Sequence, residues 1–295
     1  MPEPMTQGAI MSTTEHATAR EMRVPPAATK IRSAPLWAVR GEIGRRVYIG
    51  FALTGLIVPI LAWWALSVSG LVDPTFMPGP GAVVHRIVSW WTDDGLADDI
   101  SISVLRVVGG WALSVVFALP LGLLIGTFRP VQALLEPLTD FIRYMPAVAF
   151  IPLVMLWIGI DEGSKVAIIF IGTFFQMVLM IAENVRAVPI TQIEAAQTMG
   201  ATREEMIRLV IFPSSRPAIL DTLRITMGWA WTYLVVAELV AANSGLGYAI
   251  LKAQRYLQTD RIFGGILLIG LIGLLIDQLF RLVHRLCFGK WMAKR

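Results

Sequence analysis

The sequence predicts an all-α, polytopic membrane protein with six transmembrane helices, and three observations carry that prediction. Hydrophobic residues fill 56% of the 295 positions and charged residues only 16%, against about 25% charged in soluble globular domains. The apolar residues gather into six runs, each long enough, alone or with its flanks, for a hydrocarbon layer about 30 Å thick. The cations fall unevenly among the loops between those runs. A net charge of +4 then calls for no nucleic-acid partner, because one side of such proteins is enriched in Lys and Arg.

Residues 1–46 are rich in Thr, Ala, Pro and charge and contain no apolar run. They are expected to form a disordered cytoplasmic tail, and they lack the early apolar core of a secretory signal peptide. The first span follows at 49–68, twenty uncharged residues bracketed by Arg45, Arg46 and Asp73. The second covers 107–128, with Gly122 and Gly126 spaced for close helix contact. The third covers 145–160 and is interrupted by Pro146 and Pro152. The fourth, fifth and sixth run over 166–182, 225–242 and 262–279, the third and fourth being short enough to draw on flanking residues.

Placing the N-terminus in the cytoplasm puts nineteen of the twenty-five Lys and Arg residues on that side. Arg129 and Arg143 count among the nineteen, whereas Arg86, Arg106, Lys165, Lys252, Arg255 and Arg261 face the other way. That bias predicts both termini inside. In the first outer loop, residues 82–91 read as a short amphipathic helix whose Trp90 and Trp91 suit the headgroup level.

Catalytic chemistry is absent from the sequence. The string Gly159-Ile160-Asp161-Glu162-Gly163-Ser164-Lys165 has the wrong spacing for a phosphate-binding loop, which needs Gly-x4-Gly-Lys-Ser/Thr so that backbone amides wrap the phosphates. No His-Glu-x-x-His or Gly-x-Ser-x-Gly occurs. The single cysteine, Cys287, excludes an internal disulfide, and the three histidines are scattered. No metal and no cofactor are expected, and driven work requires an energy-supplying partner.

The polar stretch between the fourth and fifth spans fits that need. Thr191-Gln192-Ile193-Glu194 and Thr202-Arg203-Glu204-Glu205 both fit capping boxes, and Gly200 fits a left-handed helix end between them. The second helix would carry an apolar stripe of Met206, Ile207, Leu209, Val210 and Ile211, with Glu204 and Arg208 one turn apart. Pro213 and Pro217 would stop it and restart the chain toward the fifth span.

Glu194-Ala195-Ala196, three residues, Gly200, nine residues, Val210, Phe212-Pro213 resembles the EAA loop of ATP-binding-cassette importer permeases, with Val210 and Phe212 in place of the family's Ile and Leu. Phe76-Met77-Pro78-Gly79-Pro80, Arg143 to Leu153, Trp157 to Ile160, Ala237-Glu238 and Ser244 to Tyr248 are similar to segments of the nitrate/sulfonate/taurine branch, so the resemblance covers about residues 50–285. It implies the MetI-like architecture of type I importers: a permease domain at 47–285, a cytoplasmic coupling loop at 186–216 and a basic tail at 286–295. It implies that Glu194, Ala195, Ala196, Gly200, Val210, Phe212 and Pro213 meet a separate ABC ATPase subunit. The implied partners are that ATPase, a periplasmic or lipid-anchored substrate-binding protein and a second copy of the chain in the bilayer of a bacterial inner membrane. The implied cargo is a small anion of the sulfonate, taurine, nitrate or bicarbonate class.

Gln176, Trp229, Trp231, Tyr233, Glu238 and Asn243 are the polar or aromatic residues that could line a pathway. Aromatic residues in spans also serve as lipid anchors or packing. Glu238 reads equally as a functional carboxylate and as a packing partner near the outer end of its span. An ion-coupled secondary transporter titrating Glu238 is the alternative reading, although no inverted repeat is evident. Asp277 with Arg281, and Asp221 with Arg224, are expected to form local ion pairs.

Overall fold

The computed structural model describes residues 43–292. The expected disordered tail, apart from residues 43–46, lies outside the described residues, as do residues 293–295 of the expected basic tail. The chain divides into two compact units, Met1–Pro59 and Ile60–Arg295, and the packing described below belongs to the second.

The described elements are helical throughout: α1 (Arg45–Val68), α2 (Pro80–Asp93), α3 (Leu96–Thr127), α4 (Arg129–Arg143), a tight turn at Ala147–Phe150, α5 (Ile151–Ile158) and α6 (Glu162–Arg186). There follow α7 (Ile190–Thr198), α8 (Arg203–Glu205), a widened helical turn at Met206–Ile211, α9 (Phe212–Ala241), α10 (Leu246–Arg255) and α11 (Thr259–Met292). α1, α3, α6 and α11 are each long and apolar enough to cross a membrane, and a bent pair makes a fifth candidate. α9 contains most of the fifth expected run but also carries Arg216, Asp221, Arg224 and Glu238. Six spans are compatible with this set.

α3 and α6 form the central seam. A Cβ at Gly110 would stand 2.7 Å from Ile169, one at Gly122 2.7 Å from Ile181, and one at Gly126 2.6 Å from Val185. No side chain fits there, so the expectation of close contact at Gly122 and Gly126 holds. Without a strong hydrophobic drive inside lipid, such close approach and interhelical hydrogen bonds hold spans together. One such bond joins Ser114 and Thr173, 2.7 Å apart in the middle of the seam. Met177, Ile181 and Val185 of α6 pack with Ile125 of α3 and Ile219 of α9. Val107, Ile169, Met227, Ala230 and Leu234 extend that core along the same three helices.

The third expected span, 145–160, differs from expectation. Pro146 precedes a turn and an eight-residue helix, and the 147–158 segment is bent by 87° from α4. Eight residues rise only about 12 Å, so α5 alone cannot cross. A proline disfavours helical geometry in the residue before it, which breaks the helix at Met145. Pro213 and Pro217 also act differently from expectation, because the chain runs on into α9 without a stop. Pro213 lies just past the widened turn at Met206–Ile211, where the regular helical bonding is already interrupted. Residues 286–292 of the expected tail continue α11.

α2 forms over the expected amphipathic segment, but Trp90 is no headgroup anchor. Its side chain is fully buried, whereas Trp91 is 60% exposed. Trp90 packs with Leu96, Leu246 and Ala249, donates to Asp99 at 3.3 Å and lies under the Arg261 guanidinium, 4.4 Å from its ring centre.

Candidate functional site

Three groupings of polar residues stand out against this apolar frame. In the first, α7 ends in a full left-handed cap at Gly200, whose φ is +80°. Gly200 N–H donates to Gln197 O at 2.9 Å and Ala201 N–H to Ala196 O at 3.0 Å, the paired bonds of a Schellman motif. α8 opens with the expected capping box: Thr202 Oγ accepts from Glu205 N–H, and Glu205 Oε2 accepts from Thr202 N–H at 2.8 Å. That backbone donor, together with the Thr202 hydroxyl, holds the Glu205 carboxyl below its ordinary value of 4.5. Glu204 and Arg208 pair at 2.9 Å.

The other expected capping box is absent. Pro189 occupies the N-cap position of α7, and Thr191 falls inside the first turn with no capping bond. Because a proline in extended conformation already directs the chain into the helix, Thr191 has no cap to make. Glu194 and Ala195 are consequently free and exposed, Ala196 faces inward, and Met199 is exposed. Val210, Phe212 and Pro213 lie half-buried where the widened turn enters α9. Ser214 of α9 donates to Gln192 of α7 at 2.9 Å, tying the two helices.

The second grouping is a knot of charge around the fully buried Glu238, open among its charged members only at Glu162. Its Oε1 accepts from Arg106 Nη1 at 2.6 Å and Ser103 Oγ at 2.8 Å, and its Oε2 from Gly247 N–H at 2.7 Å. Arg106 also donates to both oxygens of Glu162, at 2.6 and 2.7 Å, and to Ser244 O at 2.7 Å. Lys165, itself buried, completes the set on Glu162 at 2.8 Å. Two cations face two carboxylates, so the knot is neutral. It joins α3, α6 and α9 to the turn before α10, where any side chain at Gly245 would collide with Glu238. Buried charge is tolerated only when paired and fully hydrogen-bonded, and Glu238 meets both conditions. A carboxylate so engaged is poorly suited to the proton-carrying role of the secondary-transporter alternative.

The third grouping is a cavity of about 290 Å³ between α4, α6 and α9. Gln176, Trp229 and Tyr233 line it together with Thr232 and Arg143. The other pathway candidates lie elsewhere: Trp231 is in the core, Glu238 in the knot, and Asn243 exposed in the turn after α9. Arg143 is the residue that sequence reasoning missed, having been counted among the loop cations. Its signal was present in the apolar residues of 130–142, which continue helically up to it, so that Arg143 ends a helix instead of sitting in a loop.

Asp277 pairs with Arg281 at 2.8 Å as expected, and also with Arg224 at 3.1 Å, while Arg224 reaches Asp221 at 3.6 Å. Among the described residues no cluster of metal-ligating side chains occurs.

Residues 118–287 match the family described as the binding-protein-dependent transport system inner membrane component. The chain belongs to that family. A probable ABC transporter permease protein of Brucella melitensis is 38% identical to this permease over 80% of the chain and 95% of its own length. The taurine transport system permease protein TauC of Escherichia coli is 31% identical over 83% of this permease and 90% of its own length. Among solved structures, an inward-facing MetNI methionine ABC transporter superposes with a TM-score of 0.55 at 21% identity, covering 64% of this chain and 95% of its own. The MetI-like fold is thereby shown. The protein is a permease subunit of an ABC importer, an inner-membrane component that works with ATPase and substrate-binding partners, and it is not itself an enzyme.

Proposed function

We propose that this permease translocates a small anion of the sulfonate, taurine, nitrate or bicarbonate class, and that α7, the Gly200 elbow and α8 form its docking site for the ATPase. The observation that carries the docking assignment is the elbow itself. Glu194, Ala195 and Met199 are exposed around the capped turn at Gly200. The cargo class draws on the kinship with a taurine permease. Two copies of the chain enclose the pathway, both termini are cytoplasmic, and an extracytoplasmic binding protein delivers the anion. The cation distribution supports that orientation.

Energy passes along one continuous element. Closure of the ATPases on ATP displaces α7, which pulls on α9 through the Gln192–Ser214 bond. α9 has 30 residues, about 45 Å of helix, and its far end carries Glu238 in the knot that grips the turn before α10. Movement at Glu194 thus reaches the opposite face of the membrane along one helix.

Gly200→Val tests the docking assignment. A β-branched residue is disfavoured at φ +80°, although open space surrounds the position, so membrane insertion should survive. Uptake and ATPase co-purification should both be lost. Retention of both would overturn the assignment.

A further inference from the structure

We propose that Arg143 is the anion-coordinating residue of a cargo site inside the membrane, with Gln176, Thr232, Tyr233 and Trp229 as its neutral walls. The inference rests on the anionic-cargo reading above and deepens it by naming the site.

The cavity lies at the middle of α6, where Gln176 is fourteen residues from Glu162 and ten from Arg186. Arg143 borders the cavity from the end of α4 with its side chain 30% exposed, and a cation beside a membrane cavity is a pathway candidate where its own carboxylates leave part of it free. The other arginines deep in this fold are neutralised, Arg106 by two carboxylates and Arg224 by Asp221 and Asp277. Arg143 differs. Its Nε meets Asp140 at 2.9 Å, its Nη2 donates only to the Tyr144 hydroxyl at 3.2 Å, and Nη1 has no hydrogen-bond partner among the described residues. The cavity lining contains no carboxylate.

The lining groups suit one ligand class. A guanidinium presents two parallel N–H groups to a planar or tetrahedral oxyanion. The Gln176 amide, Thr232 and Tyr233 hydroxyls and Trp229 indole can each donate a hydrogen bond, whereas a cationic cargo would find no carboxylate. A cavity of about 290 Å³ falls just under the usual range of ligand sites, a size that suits a small ion. Asp140, on the Nε edge, tempers the attraction. A transit site must bind well enough to admit the ion and weakly enough to release it.

The position also explains the bend after α4. Arg143 is the last residue of α4, and Tyr144 and Met145 follow before the chain turns at Pro146. The break ends the helix at the cavity, so Arg143 borders it from a helix terminus. The Tyr144 ring stands 4.8 Å from the guanidinium carbon.

The test uses the importer reconstituted in proteoliposomes with its ATPase and binding protein, with labelled taurine, methanesulfonate, nitrate and bicarbonate as probes. Arg143→Gln should lower the maximal uptake rate at least tenfold while binding-protein-stimulated ATP hydrolysis stays within twofold of the parent. Arg143→Lys, which keeps the charge without the fork, should retain an intermediate rate. Tyr233→Phe, close to isosteric, should raise the KM for uptake severalfold. The proposal is overturned if Arg143→Gln transports like the parent. It is also overturned if Gln and Lys variants fail alike and lose ATP hydrolysis, which would mark a structural role. Should the unaltered importer move none of the four anions, the cargo reading itself fails, an outcome distinct from normal anion uptake that ignores Arg143.

Discussion

Arg106 Nη1 and Glu238 Oε1 lie 2.6 Å apart with side chains 2% and 0% exposed, although 132 residues separate them in the chain. Removing one partner strands a buried charge, at a cost of about 3–5 kcal/mol. Arg106→Met should therefore lower the thermal midpoint of the detergent-solubilised protein sharply. Glu238→Gln added to it should recover much of the loss, since an amide leaves no charge unpaired. A double variant as unstable as the sum of the two single changes would show that the pair is not coupled.

The cap at Thr202 and Glu205 has a defined pH response. Glu205 titrates below 4.5 in the folded protein because Thr202 donates to its carboxylate. A lowered folded value means the cap contributes fully above the unfolded value and is lost as pH falls through the folded one. A spin label at Ala201 should report an ordered elbow at neutral pH and loosening only below 4.5. Thr202→Ala should loosen it at every pH. A loosening midpoint at or above 4.5 in the unaltered protein would contradict the cap.

The Ser114–Thr173 bond at the centre of the α3–α6 seam should matter less than its buried position suggests. Interhelical hydrogen bonds in lipid average about 0.6 kcal/mol, with a maximum near 1.7, because the separated helices find other partners. Ser114→Ala should cost under about 2 kcal/mol in a double-mutant cycle with Thr173→Val. A coupling well above that limit would mean that the seam depends on this one contact.

The two neighbouring tryptophans of α2 should part company on substitution. Trp90→Ala opens a cavity beneath Arg261 and should cost about 3–5 kcal/mol. Trp91→Ala, at an exposed position, should change stability by no more than about 0.5 kcal/mol. Denaturation of each variant in detergent separates the two, and equal losses would contradict the packing of Trp90.

Much of this was legible in the chain itself. Apolar runs mark most of the spans, Gly122 and Gly126 mark the seam, and Thr202 with Glu205 marks a helix start, because each is a local pattern whose partners lie within a few residues or along one helix face. What escaped depends on distant partners or on competition between neighbours. Thr191 looked like a cap until Pro189 took the position. Trp90 looked like an anchor because the face it presents to Leu246 and Arg261 is decided more than 150 residues downstream. Glu238 was ambiguous for the same reason, since Arg106 appeared to belong to a loop and not to a helix. Arg143 ends a helix that residues 130–142 make legible, but the cavity it borders is completed by α6 and α9, which no local pattern shows.

The break at Pro146 bears on how the protein is made. The 147–158 segment is too short to be recognised as a span during synthesis and is bent away from the helix before it. Its contacts are supplied by Ile168 of α6 and Ala237 of α9, residues that leave the ribosome later. The segment must therefore wait, held near the insertion machinery or at the lipid surface, until the second half of the chain arrives to seat it. Biogenesis of this permease ends with a folding step, and a ribosome stalled before Ala237 would leave residues 147–158 open to proteases.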